Sequence, residues 1–247
     1  MTGERNGIAM TDYDKSRWAD KEFAAGYADN ADNIIHERRR LNSVLKSFYG
    51  HFLHGSKQVK VHDLGCGDGT LTAELTDGYP NIKPTLVDGS PDMLGKAKER
   101  LALFKGAEFV NASFQDMLAG GVALGRFDFI FSSLAIHHLD SSEKAALFGY
   151  IREHLEDGGY FLNIDVVLPP DGLEGWYLGT WRDWMDERRR LLGLDNIGED
   201  MVKRYKDNED NKPDTLGTQL AALKEAGYRD VDCYYKYGIF AVYGGSR

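Results

Sequence analysis

Asp63, Gly65, Gly67 and Gly69 fall within seven residues, in the string VHDLGCGDGTL, Val61 to Leu71. A strand pattern, begun at Val59, runs into alternating glycines. Thr70 and Leu71 then open a helix. Such a turn carries few side chains, so a ligand can approach the backbone, and the N–H groups of the helix start point at it. The spacing G-x-G-x-G is tighter than the dinucleotide fingerprint G-x-G-x-x-G. Asp63 stands just before the glycines. A carboxylate there suits an ammonium or a sulfonium better than a pyrophosphate. Asp88 closes the next strand pattern, where it can accept two charge-assisted hydrogen bonds from a ribose diol.

Other residues could contribute to a second ligand. His137 and His138 follow the fourth strand pattern, and one of two adjacent residues there should face a pocket. Ile136 and Leu139 bracket them as core positions, which favours His137 as a general base. Trp181, Trp184 and Arg188 lie in a Trp- and Arg-rich stretch. Aromatic rings and guanidinium groups can wall an acceptor pocket, although such a stripe also serves simply as packing.

The elements that must position these residues alternate along the chain. The expected strands are 58–64, 83–87, 107–110, 127–131 and 159–167. The expected helices are 70–76, 90–104 and 141–155, the last opened by Ser141 as cap. Residues 111–117 read as a turn. Strands alternating with helices give parallel βαβ units with right-handed crossovers. Ligands then bind beyond the strand C-termini at the switch point. Asp63, Asp88, the turn after Asn111 and Ser132 all fall there. A helix over 215–226, ended by Gly227, and a terminal hairpin over 231–243 complete the pattern. Residues 208–213 read as a solvated link.

The glycine turn resembles motif I of the class I S-adenosylmethionine-dependent methyltransferases. LVDGSPDML (Leu86–Leu94), FDFIFSSLAIHHL (Phe127–Leu139) and LEDGGYFLNIDVV (Leu155–Val167) resemble later motifs of that family in the same order. The resemblance implies an α/β fold: a doubly wound, seven-stranded, mostly parallel sheet with a C-terminal antiparallel hairpin. To it would be added an N-terminal helical cap and a helical insertion after strand five. Residues 1–56 would be tail and cap, with the first part of 1–16 disordered and the rest loosely attached. Residues 57–247 would be the methyltransferase domain, including the insertion at 171–212. The implied cofactor is S-adenosylmethionine, leaving as S-adenosylhomocysteine. Asp63, Gly65, Cys66, Gly67, Asp88, Gly89, Met93, Ser113, Phe114 and Ser132 would hold it, with Asp88 on the ribose and Met93 on the adenine face. Many members carry an acid at Ser113, and its lack here leaves Ser113 or Asp116 to meet the adenine amino group. Tyr27 and Arg38 of the cap are candidates for the cofactor's carboxylate end.

The chain has 247 residues, 42% hydrophobic and 28% charged, with a formal net charge of −9. That length suits one α/β domain with an appendage. The acidic balance argues against a general nucleic-acid binder. Cys66 and Cys233 are the only cysteines and have no metal-ligand spacing, so no metal is expected. A cytoplasmic home is expected, with no membrane span. The reading is methyl transfer to an O or N nucleophile on a small molecule. Three alternatives stay open: an RNA-modifying enzyme of the same fold (wobble-uridine type), a nucleotide-dependent oxidoreductase, disfavoured by the glycine spacing, and a non-catalytic cofactor-binding protein. No Asn-Pro-Pro-Tyr-like string follows strand four, which disfavours methylation of exocyclic base amines.

Overall fold

The computed structural model describes residues 30–55, 58–122, 124–170 and 172–247. The expected tail 1–16, the start of the cap and Tyr27 lie outside them. Seven strands form one sheet: β1 (Val59–Leu64), β2 (Ile82–Asp88), β3 (Glu108–Asn111), β4 (Phe127–Ser133), β5 (Leu155–Val166), β6 (Arg229–Tyr237) and β7 (Phe240–Ser246). Their order is β3-β2-β1-β4-β5-β7-β6. β1 to β5 run parallel, and β7 is antiparallel to both β5 and β6. The order reverses between β1 and β4, so a crevice opens beyond their C-terminal ends.

Local chemistry explains most of the helices. In α1 (Arg38–Phe52), Leu41, Leu45 and Tyr49 recur every four residues and are all buried. Burying one such side chain contributes roughly 1.5–3 kcal/mol. α2 (Thr70–Gly78) follows the glycine turn. α3 (Pro91–Arg100) starts with Pro91 at its first position. The Ser90 hydroxyl there accepts a hydrogen bond from the Met93 N–H at 3.3 Å. The expected turn at 111–117 contains a short helix, α4 (Phe114–Leu118), closed by a reciprocal Ser113–Asp116 capping box. α5 (Ser141–Glu153) is capped by Asp140, one residue before the expected serine. A carboxylate accepts from two helix N–H groups and also matches the positive end of the dipole. The stretch after β5 forms two helices, α6 (Glu174–Leu191) and α7 (Gly198–Lys206). α8 (Leu216–Glu225) precedes the hairpin.

The sheet is covered on both faces. One face carries Leu41, Leu45 and Tyr49 of α1, Leu71 and Leu75 of α2, and Leu178, Trp181 and Met185 of α6, packed on Phe129, Phe131 and Val242. The other carries Leu147, Phe148 and Ile151 of α5 and Leu223 of α8, packed on Ile130, Phe161 and Tyr243. The insertion therefore shares the core of the sheet. No helix among the described residues is long and apolar enough to cross a membrane.

Candidate active site

A cavity of about 350 Å³ lies at the switch point. Its floor is the glycine turn. Gly65, Gly67 and Gly69 all have positive φ, between 54° and 73°. They differ in what an added Cβ would meet. At Gly65 it would lie 2.5 Å from the Ala135 Cβ, and at Gly69 2.9 Å from the Ala97 Cβ. At Gly67 no atom of the described residues lies within 4 Å. Close packing thus demands two of the glycines, and the third meets none of the described residues. The turn is tied to β2: the Asp88 carboxylate accepts from the Gly67 N–H at 2.7 Å and from the Ser90 N–H at 2.8 Å. Each Asp88 oxygen keeps a second lone pair, and the residue lines the cavity.

Asp63 also reaches this floor, though it is almost fully buried. Its carboxylate accepts from the Thr72 hydroxyl at 2.6 Å. Burial pushes its pKa up to about 7; the Thr72 bond opposes this, and the charges of Asp88 and Asp68 add to it. Three carboxylates at this end, of which only Asp68 pairs with a cation among the described residues (Arg100 at 2.6 Å), make it a site for a cation. Cys66 lines the same end, and burial keeps its thiol well above the ordinary pKa, so it is a poor nucleophile.

Gly89, Met93, Ser113 and Phe114 line the cavity as well. Asp116 does not. Its carboxylate accepts from the Ser113 N–H and hydroxyl, at 2.9 and 2.7 Å, and so is held at the helix start. Arg38 lines the cavity from the cap and pairs with Asp32 at 2.7 Å. These residues, with Asp63, Asp88 and the glycines, come together as one half of the site.

Four expected positions lie elsewhere, and a fifth, the His137–His138 pair, divides. Ser132 is fully buried, its hydroxyl spent on the Leu64 carbonyl at 2.7 Å; Ser133 is the strand residue that reaches the cavity. Trp181 is core: its indole N–H donates to the Ile34 carbonyl at 2.7 Å, and its ring meets Phe240 edge-on. Trp184 packs on His36, and the Arg188 guanidinium lies over the Trp184 ring and donates to Asn33 at 3.2 Å. None of the three lines the cavity. They hold the cap instead. His137 faces inward, with Nδ1 2.6 Å from the buried Asp165 carboxylate. Its neighbour His138 lines the cavity. The expectation for His137 therefore transfers to His138 on geometry, because strand β5 supplies a buried acid that draws the first ring inward.

The second half of the wall was not foreseen. In place of the expected solvated link over 208–213, the segment from Asp210 to Asp214 is clamped across the turn after β4. His138 Nδ1 donates to the Asp210 carbonyl at 3.0 Å, and the Lys212 N–H donates to the His137 carbonyl at 2.8 Å. The buried Lys144 of α5 donates to the Lys212 carbonyl and pairs with Asp214 at 2.8 Å. Asp210, Lys212, Gln115 and Glu143 thereby line the cavity beside His138. A carbonyl can only accept, so a neutral His138 carries its proton on Nδ1, and its Nε2 is buried. Burial, then the nearby His137, Lys144 and Lys212, holds its pKa well below the ordinary histidine value.

Comparison with known proteins agrees with this arrangement. A family model described as a methyltransferase domain matches residues 61–159. Malonyl-[acyl-carrier protein] O-methyltransferase 1 of Ilyobacter polytropus is 28% identical over 151 residues, 61% of this chain and 52% of that one. Carboxy-S-adenosyl-L-methionine synthase of Nautilia profundicola is 23% identical over 231 residues, 91% of this chain and 92% of that one. Among solved structures, an O-methyltransferase family protein from Burkholderia thailandensis superposes with a TM-score of 0.65 at 17% identity, over 95% of this chain and 62% of that one. The protein PigF with S-adenosylhomocysteine gives 0.63 at 14%, over 97% and 63%. The chain thus spans about half of the malonyl relative and under two thirds of these two structures. Residues 61–159 match a methyltransferase-domain model, and the fold is the α/β fold of the solved methyltransferases.

Proposed function

We propose that this S-adenosylmethionine-dependent methyltransferase transfers its methyl group to an oxygen or nitrogen of a small molecule held beside His138. The observation that carries the reading is the space over Gly67, clear of the described residues and bounded by the lone pairs of Asp88 and the carboxylate of Asp63. The residues fit the cofactor. Gly67 admits it close to the backbone, Asp88 can take the ribose hydroxyls, and Met93 and Phe114 offer apolar surface for the adenine. Asp63 balances positive charge. Bound S-adenosylmethionine supplies an activated methyl on a sulfonium. The protein's task is then mainly alignment. The wall of Gln115, His138, Glu143 and Lys212 confines the acceptor, and the imidazole of His138 is the group proposed to take its proton. Small-molecule acceptors are supported by the size of the cavity and by the relatives' names.

A second reading is favoured by the relative matched over 91% of this chain and 92% of its own length, a carboxy-S-adenosyl-L-methionine synthase. In it, the product would be a modified cofactor and not a methylated acceptor. One experiment separates the two. Calorimetric titration should show binding of S-adenosylhomocysteine and none of NAD. Mass spectrometry of reactions with candidate acceptors should show an acceptor heavier by one methylene unit. Tight NAD binding without S-adenosylhomocysteine binding would overturn both readings, and a heavier cofactor would select the second.

A further inference from the structure

We propose that the acceptor carries a carboxylate and that Lys212 is the residue that reads it. The inference rests on the methyltransferase reading above and narrows its substrate class. Among the described residues, three cations line the cavity: Arg38, Arg100 and Lys212. Arg100 is spent on Asp68, bonding its carboxylate at 2.6 Å and its carbonyl at 3.0 Å. Arg38 is spent on Asp32 at 2.7 Å. Lys212 has no ion-pair partner among the described residues, although it sits in the same wall as Glu143 and Asp210. The Glu143 oxygens are taken up by the Gln115 amide at 3.0 Å and the Asp140 N–H at 2.9 Å.

The backbone that carries Lys212 is held from both sides. Its N–H reaches the His137 carbonyl, and its carbonyl takes the ammonium of Lys144, a side chain only 2% exposed. Lys144 and the Ser141 hydroxyl both bind the Asp214 carboxylate, each at 2.8 Å. A buried lysine is costly to retain unless its partners are fixed. Here its fixed partners are the residues that set Lys212 in the wall. A lysine starting from a rigid backbone loses less freedom when it binds a ligand. Lys212 offers one ammonium, and Glu143 and Asp210 already place two carboxylates in the same wall, so the site suits at most a single added negative charge. A phosphate monoester brings about −1.5 to −2 at neutral pH and would be repelled by Glu143 and Asp210. A carboxylate matches, with the negative end of the acceptor at Lys212 and the carboxylate-rich floor left to the cationic cofactor.

The test uses the full chain loaded with S-adenosylhomocysteine. It is titrated calorimetrically with acetate, benzoate and malonate, and with the corresponding amides. At least one acid should bind saturably, with its amide tenfold weaker or worse. Lys212→Met should lose that preference while still binding S-adenosylhomocysteine, and Lys212→Arg should keep it. Acids that bind no better than amides, or no acid binding at all, would overturn the proposal. So would a Lys212→Met variant that discriminates like the wild type. If the wild type fails to take up S-adenosylhomocysteine, the methyltransferase reading falls and this proposal with it. Uptake without acid preference removes this proposal alone.

Discussion

Alanine at Gly67 should abolish cofactor binding at small cost to the fold, and alanine at Gly65 should do the reverse in emphasis. Both residues have left-handed φ, 54° and 66°. A non-glycine residue in that region costs about 1–2 kcal/mol. At Gly67 this is the whole cost, since the new methyl meets no atom of the described residues within 4 Å. For a chain of this size that is a fall in Tm of about 2–8 °C. At Gly65 the new methyl would stand 2.5 Å from the Ala135 Cβ. Overpacking adds about 1–3 kcal/mol, for a total of roughly 2–5. Gly69, at 2.9 Å from Ala97, falls between the two. The assay is thermal unfolding with and without S-adenosylhomocysteine. At a hundredfold excess over Kd a ligand stabilises by about 2.7 kcal/mol, so the wild type should gain about 5–10 °C. Gly67→Ala should gain nothing. The reasoning is refuted if Gly67→Ala keeps the ligand-induced rise, or if without ligand it is as destabilised as Gly65→Ala.

Two further outcomes follow from the charged and titrating groups. The folded-state pKa of Asp63 is raised to about 7 from 3.8, so its contribution to stability is full below about pH 4 and is lost as pH rises through 7. Relative to Asp63→Asn, the ligand-free wild type should therefore lose stability from pH 5 to 8 in chemical denaturation, while its affinity for S-adenosylmethionine rises over the same range. A flat difference would rule out the buried carboxyl as its source. For the histidines, His138→Ala should lower turnover about 10²- to 10⁴-fold with S-adenosylhomocysteine affinity little changed. His137→Ala should instead lower Tm, because it removes a buried hydrogen bond to the Asp165 carboxylate, a loss of about 1.5–3 kcal/mol. Unchanged turnover in His138→Ala would remove proton abstraction from the mechanism.

The half of the site that was legible in the sequence is the half built locally. Asp63, the glycines and Asp88 lie within 26 residues of one another, and strand, turn and helix periodicity alone bring them to the crevice. The other half depends on which of several neighbours wins a contact. His137 and His138 are equivalent by position. What turns His137 inward is Asp165, 28 residues away in β5. Trp181 is aromatic enough for a pocket wall, but its indole N–H finds the Ile34 carbonyl 147 residues away. Lys212 sat in a string of Asn, Asp, Glu and Lys with every mark of a solvated loop. Its place in the cavity wall comes from Lys144 on a helix 68 residues earlier.

The pairing of Trp181 with Ile34, of Trp184 with His36 and of Arg188 with Asn33 has a consequence for engineering. Ala31, Ile35 and Arg38 of the cap line the cavity, and α6 is what pins that stretch of chain. Anyone seeking new acceptors by chimera formation would naturally transplant the insertion alone from a relative. That graft would strip the Ile34 carbonyl of its donor and His36 of its ring partner, and cofactor retention would suffer along with acceptor choice. Cap and insertion are one cassette in two pieces. Residues 30–52 and 174–206 should be exchanged together, and recombination libraries should place their crossovers outside both.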